Sequence, residues 1–199
     1  MKLLIASNNK HKIDEIRKVL KEKITNQVEV FSPKDLVIDI DVIEDADTLE
    51  GNALLKAEAF YKASEIPVIA DDTGLLIDFL DGKPGVYSAR YAGEPPVDRN
   101  NRKKVLAELE GVPKEKRNAK FVTVICYIDK TGHYFILGEC EGTITYEEKG
   151  DNGFGYDSIF SPAGFDRTFA EMSSSEKNAI SHRGKAIVKF AEWLSDFIN

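Results

Sequence analysis

The sequence predicts an α/β fold, an elongated mixed β-sheet flanked by helices with two lobes and a central cleft, in a single domain over residues 1–199. Strand-length apolar runs alternate with stretches whose apolar residues recur every three or four positions, which is the pattern of strands and helices packed in layers. Two longer runs rich in β-branched and aromatic residues, 119–128 and 134–141, flank the turn Asp129-Lys-Thr-Gly132 and read as a hairpin, so the sheet is mixed. There is no internal repeat and no low-complexity linker to divide the chain.

Lys2 to Ala6 reads as a strand and His11 to Leu20 as a helix, with Ile13, Ile16, Val19 and Leu20 on one face. Ser7, Asn8 and Asn9, with Lys10 and Lys12, therefore lie between a strand end and a helix start, where open α/β sheets bind ligands. Val28 to Phe31 and Val37 to Ile40 are short strand candidates. The acidic loop Glu44-Asp-Ala-Asp47 precedes a helix from Thr48 to about Ser64, with Asp47 as N-cap, Glu50 as its capping-box partner, and Leu49, Ala53, Ala57 and Phe60 as the buried stripe. Pro67 to Ala70 is a buried strand that delivers Asp71 and Asp72 at its carboxyl end. After Leu75 to Asp78, Gly82-Lys-Pro-Gly85 is a turn. Asp98 to Leu109 is helical through Val105, Leu106 and Leu109, and Gly111 to Arg117 is a connector. A closing helix carries Ile187, Phe190, Ala191, Leu194 and Phe197 as its stripe, with Trp193 in the core or at a subunit contact.

Composition narrows the function classes. The chain carries a net charge of -7 with basic residues dispersed among acidic ones, so a nucleic acid would be repelled outside any local patch. No run approaches the roughly 20 apolar residues that span a bilayer, and Met1-Lys2 leads straight into a strand, so the expectation is a cytoplasmic protein without membrane contact. Cys126 and Cys140 lie in separate apolar runs and read as buried thiols, and His11, His133 and His182 have no zinc-ligand spacing.

Against that acidic background, Lys177, His182, Arg183 and Lys185 gather around a helix start, where anions are favoured. Ser7 to Lys12 could hold phosphates through backbone N–H groups and lysines, or could be an N-cap followed by solvated lysines. No Gly-rich Walker-type loop is present. Asp71 and Asp72 are adjacent, so in extended backbone they point to opposite sides and do different jobs. One could join Glu44 in holding Mg²⁺, which prefers one or two carboxylates with waters and phosphate oxygens; the alternative is a solvated acidic turn. Gly153-Phe-Gly-Tyr-Asp157 suits a flat base, glycine giving close approach and an aromatic face stacking, or else is an aromatic bulge with its phenylalanine in the core.

Six motifs in order then carry a family likeness: Ser7-Asn-Asn-Lys-His-Lys12, Thr48-Leu-Glu-Gly-Asn-Ala-Leu-Leu-Lys-Ala57, Ala70-Asp-Asp-Thr-Gly-Leu75, Pro84-Gly-Val-Tyr-Ser-Ala-Arg-Tyr-Ala-Gly93, Phe154-Gly-Tyr-Asp157 and Ser181-His-Arg-Gly-Lys-Ala186. Over nearly its whole length the chain resembles the inosine triphosphate pyrophosphatase, or Ham1, family. The resemblance implies magnesium-dependent hydrolysis of ITP, dITP and XTP to monophosphate and pyrophosphate by a cytoplasmic homodimer with the ITPase-like fold. It implies Asp72 as proton acceptor and metal ligand and Glu44 as the second metal carboxylate. It implies substrate contacts from Ser7, Asn8, Asn9, Lys10, His11, Lys12, Thr73, Phe154, Gly155, Tyr156, Asp157, Lys177, His182 and Arg183. Leu49, Thr73 and Ser158 depart from the residues common in the family, and Thr73 keeps the hydroxyl of the usual serine. The competing readings are a Maf-like pyrophosphatase of other nucleotides and a purine nucleotide sensor without turnover.

Overall fold

A computed structural model describes residues 1–24 and 28–198. The strands are β1 (Lys2–Ile5), β2 (Glu29–Phe31), β3 (Val68–Ile77), β4 (Pro84–Gly85), β5 (Asn118–Asp129), β6 (Gly132–Ile144) and β7 (Phe160–Pro162). The helices are α1 (Lys10–Lys23), α2 (Leu49–Ser64), α3 (Asp98–Glu108), α4 (Ser174–Ile180) and α5 (His182–Ile198). The strands run in the order β2-β1-β3-β5-β6-β7, with β4 beside β3. Pairing is parallel for β1 with β2 and β3, and antiparallel for β3 with β4 and β6 with β7, so the sheet is mixed as expected.

The chain divides into two compact units, the first made of 1–72, 123–138 and 183–199, the second of 73–122 and 139–182. In the first unit the period of two along each strand sends alternate residues to opposite faces. Leu3, Ile5, Ile69, Ile125 and Tyr127 face α1 and α5, meeting Ile16, Val19, Leu20, Ile187, Phe190 and Leu194. Leu4, Ala6, Val68, Ala70, Val124 and Cys126 face α2, meeting Ala53, Ala57 and Phe60. Trp193 packs at the edge of the first cluster against Tyr127 and Phe190. Phe197, placed in the buried stripe by its spacing, is 47% exposed, stacked on Trp193 and edge-on to Tyr127.

The second unit has its own core around Leu75, Ile77, Val105, Leu109, Phe121, Ile159, Phe160 and Phe169. Arg117 is buried in it, and among the described residues no carboxylate pairs with it. Its guanidinium donates to the carbonyls of Leu109, Ile144 and Thr145, at the end of α3 and the end of β6, and lies under the Tyr146 ring.

Three expected features differ. Val37 to Ile40 is not a strand: the segment follows a 3₁₀ turn at Pro33–Leu36, Val37 turns left-handed and is 91% exposed, while Leu36, Ile38, Ile40 and Val42 lean on the α2-side core. The alternation reports one-sided burial without a pairing neighbour. Thr48, not Asp47, caps α2, its Oγ1 accepting from the Gly51 N–H at 3.0 Å, so no Asp47–Glu50 box forms. The strand expected at 67–70 continues to Ile77, so Asp71 and Asp72 lie within β3 and not at its end.

Candidate functional site

The strand period decides what the two aspartates do. Asp71 shares the face of Ile69 and so meets α1 and α5; Asp72 shares the face of Val68 and Ala70 and so meets α2. Asp71 Oδ2 lies 3.1 Å from Lys12 Nζ and accepts from Arg183 Nε and Nη2 at 3.2 Å each, while Arg183 Nη1 reaches Glu15 at 2.6 Å. Burial opposes the Asp71 carboxylate, but Lys12 and Arg183 outweigh it and hold its pKa well below the usual range. Burial lowers the Lys12 pKa, and Asp71, which Lys12 shares with Arg183, only partly offsets this.

Asp72 stands in a second group. Its Oδ1 is 3.4 Å from Lys56 Nζ, which also binds Glu44 Oε2 at 2.8 Å, and its Oδ2 accepts from Asn52 Nδ2 at 3.4 Å. Asn52 and Lys56, one turn apart on α2, point the same way. Asn52 is 1% exposed; its Oδ1 accepts from the Ala46 N–H at 3.0 Å, which turns its amide donor toward Asp72 and holds the Glu44 loop against the helix. Gly51 permits that approach, since a Cβ there would stand 2.6 Å from that of Ala46. Burial is the largest influence on Asp72 and raises its pKa against the pull of Lys56 and Lys12. Burial works against the Lys56 ammonium, but Asp72 and Glu44 raise its pKa above the ordinary value.

The donor set fits a hard divalent ion. Two carboxylates from different segments converge on one cationic point, now the Lys56 ammonium, and Mg²⁺ asks for one or two carboxylates with water and phosphate oxygens completing the shell. Among the described residues no group of three or more His, Cys, Asp or Glu forms a protein-only cage.

In the Ser7–Lys12 loop, Asn9 caps α1, accepting from the N–H groups of His11 and Lys12, and Ser7 Oγ accepts from the Asn9 N–H. Asn8, Lys10 and His11 are exposed. The N-cap reading holds, but the lysines are not both solvated: Lys10 is exposed, while Lys12 turns inward to Asp71.

The second unit holds the glycine-aromatic loop. Asp157 Oδ2 accepts from the Phe154 N–H at 2.9 Å and from Lys177 Nζ at 2.7 Å, and the Lys177 ammonium lies 4.7 Å from the Phe154 ring centre. Gly153 is left-handed at φ +77, and a Cβ there would meet Asp157 Oδ2 at 2.1 Å. Tyr156 is only 5% exposed and donates to the Ser88 carbonyl at 2.7 Å, so it anchors the loop to the core; Phe154 is the half-buried ring of the pair. His182 is buried, stacked on Phe121 with ring centres 4.4 Å apart, and Thr73 is half-buried on β3. Lys177 is presented by α4, a separate helix started by a Ser173–Glu176 capping box.

The sequence reading missed Asn52, Glu15, Asp98 and Arg102. Asn52 and Lys56 at i and i+4 beside the Ala53 and Ala57 stripe were a usable signal; the other three act through partners distant in sequence.

A mixed α/β sheet carries a lysine-bridged carboxylate pair in one unit and a glycine-aromatic loop in the other, groups of the kinds that hold a divalent ion and that stack flat rings respectively. The chain belongs to the Ham1 family, whose model matches residues 3–193. It is 48% identical to a dITP/XTP pyrophosphatase of Porphyromonas gingivalis over 97% of each chain, and 44% identical to one of Thermoanaerobacter pseudethanolicus over 98% of this chain and 96% of the relative. Among solved structures it resembles the Ham1 protein of Staphylococcus aureus, with TM-score 0.87 and 39% identity over 98% of this chain and 99% of that one. It also resembles the HAM1 protein of Coxiella burnetii, with TM-score 0.88 and 35% identity over the same shares.

Proposed function

We propose that this chain hydrolyses ITP, dITP and XTP to the monophosphate and pyrophosphate, removing them from the nucleotide pool. The observation that carries the reading is the Asp72–Lys56–Glu44 group in a chain whose curated relatives bear the name dITP/XTP pyrophosphatase. Glu44 and Asp72 would hold the magnesium ion, which when bound supplies Lewis-acid polarisation of phosphate oxygens.

Asp72 is the proton acceptor. Buried in β3 and oriented by Asn52 and Lys56, its carboxylate is positioned to take a proton from a water. The water oxygen bonds to the α-phosphorus as the bond from that phosphorus to the bridging oxygen breaks. Pyrophosphate leaves with the bonding pair, and the water's proton passes to Asp72. Lys12 and Lys56 face the charge that gathers on the phosphates, with Lys10 and the exposed Asn8 and His11 beside them. Arg183, committed to Asp71 and Glu15, acts by keeping Lys12 and Asp71 in place.

Base recognition belongs to Phe154–Asp157 with Lys177, Thr73 and His182. Hypoxanthine and xanthine present an O6 acceptor and an N1–H donor, and adenine presents the reverse, so fixed partners leave adenine with unpaired groups. The same reading takes the enzyme to be a cytoplasmic homodimer.

The test is product analysis with Mg²⁺ and ITP, dITP, XTP, GTP, ATP, dTTP or UTP, resolving pyrophosphate from orthophosphate. Pyrophosphate and monophosphate from ITP, dITP and XTP, with GTP and ATP nearly untouched, is the expected result. Preference for dTTP or UTP would replace this reading with a Maf-like one, and tight binding without turnover would replace it with a sensor.

A further inference from the structure

Gly155 lies between the two aromatic residues of the loop in the left-handed conformation, φ +59, and a Cβ there would meet nothing within 4 Å. The conformation, not crowding, calls for glycine, and a glycine in open space is where a loop is softest. Here that residue is held on both sides. Its N–H donates to Asp98 Oδ2 at 2.8 Å, and its carbonyl accepts from Arg102 Nη1 at 2.8 Å. Asp98 and Arg102 stand one turn apart on α3 and so present side by side. Arg102 is aimed in turn by Glu148, which takes its Nε at 2.8 Å and also accepts from Ser158 Oγ just beyond the loop.

The helix that carries them is itself fixed. Asn101 donates to the Ala89 carbonyl and accepts from the Ala92 N–H, Val105 is in the core, and Arg117 binds the Leu109 carbonyl after the last turn. The loop is thus tied to the core at Tyr156, to α4 at Asp157 and to α3 at Gly155.

We propose that Asp98 and Arg102 are positioning residues for base recognition, holding the N–H and C=O of Gly155 so that the Phe154–Asp157 backbone stays in the conformation that receives the purine ring. The proposal rests on the function given above. Both residues belong to the same unit as the loop they hold, so their loss should act on binding of the base and not on the chemical step. Asp98 is exposed and Arg102 half-exposed, so their polar contacts add little to global stability.

The test compares wild type with Asp98→Ala, Arg102→Ala and Asp98→Asn by ITP kinetics, thermal unfolding and amide hydrogen exchange. If the loop is receptive about one-tenth of the time without the clamp, KM for ITP rises about tenfold in both alanine variants, with kcat within about twofold and the unfolding midpoint nearly unchanged. Asp98→Asn, which keeps the acceptor, restores KM to within about threefold of wild type. Exchange quickens in 153–157 and not elsewhere. Loss of kcat at unchanged KM, or no change in either, overturns the proposal. Wild type that does not turn over ITP removes the functional reading, and exchange then decides the clamp by itself: faster exchange confined to the loop supports it and unchanged exchange refutes it.

Discussion

Asp71 and Asp72 are neighbours in β3 whose carboxylates belong to separate networks, Asp71 with Lys12 and Arg183 and Asp72 with Asn52 and Lys56. The alternation of the strand makes one aspartate an anchor and leaves the other poised. The two isosteric variants should therefore fail differently. Asp72→Asn should lower kcat by about a thousandfold with thermal unfolding near wild type. Asp71→Asn leaves Lys12 without its carboxylate and the buried Arg183 with Glu15 alone, and should cost about 3 kcal/mol in urea unfolding. Equal loss of stability in both would contradict the division.

Asn52 should govern metal demand. It orients Asp72 and holds the loop that bears Glu44, as residues behind a metal's direct ligands do. In Asn52→Ala the magnesium concentration for half-maximal turnover should rise about tenfold or more, with much of kcat recovered at saturating magnesium. A magnesium titration that overlays wild type would count against this role.

Gly153→Ala should disable the base loop while sparing the fold. The added methyl would stand 2.1 Å from Asp157 Oδ2 in a backbone conformation that alanine adopts reluctantly, so Asp157 must give up Lys177 or the loop must open. KM for ITP should rise about tenfold or more, and exchange at the Phe154 N–H should quicken.

Acid stability should carry a contribution from the box that starts α4. The Ser173 N–H and hydroxyl, followed by Arg167, hold the Glu176 carboxylate down to about 2, against an ordinary value of 4.5. A depressed pKa means stabilisation that is complete above pH 4.5 and fades as pH falls toward 2. In Glu176→Gln the decline of urea midpoints across that window should be shallower than in wild type. Parallel declines would show that the box does not contribute.

Periodicity made most of the scaffold legible: β1, α1, α2, α3, the hairpin and α5 each repeat at their own spacing against a core the chain supplies nearby. It misled at Val37 to Ile40, where alternation marks burial on one side of an unpaired segment, and it cut β3 short because two carboxylates interrupt the apolar run. Those carboxylates are tolerated inside the strand because Lys12, Arg183, Asn52 and Lys56 meet them from other elements. The same limit applied to the site. The acidic, lysine-rich and glycine-aromatic motifs were visible as residue types, but Tyr156 as an anchor to Ser88, Asn52 as a bridge and Asp98 and Arg102 as a clamp depend on contacts that only folding creates.

The central claim is attack of water on the α-phosphorus, and hydrolysis of ITP in ¹⁸O-labelled water followed by mass analysis of both products tests it most directly. The account predicts one labelled oxygen in the inosine monophosphate and none in the pyrophosphate. Label in the pyrophosphate, or release of labelled orthophosphate, would place the attack at another phosphorus and contradict it.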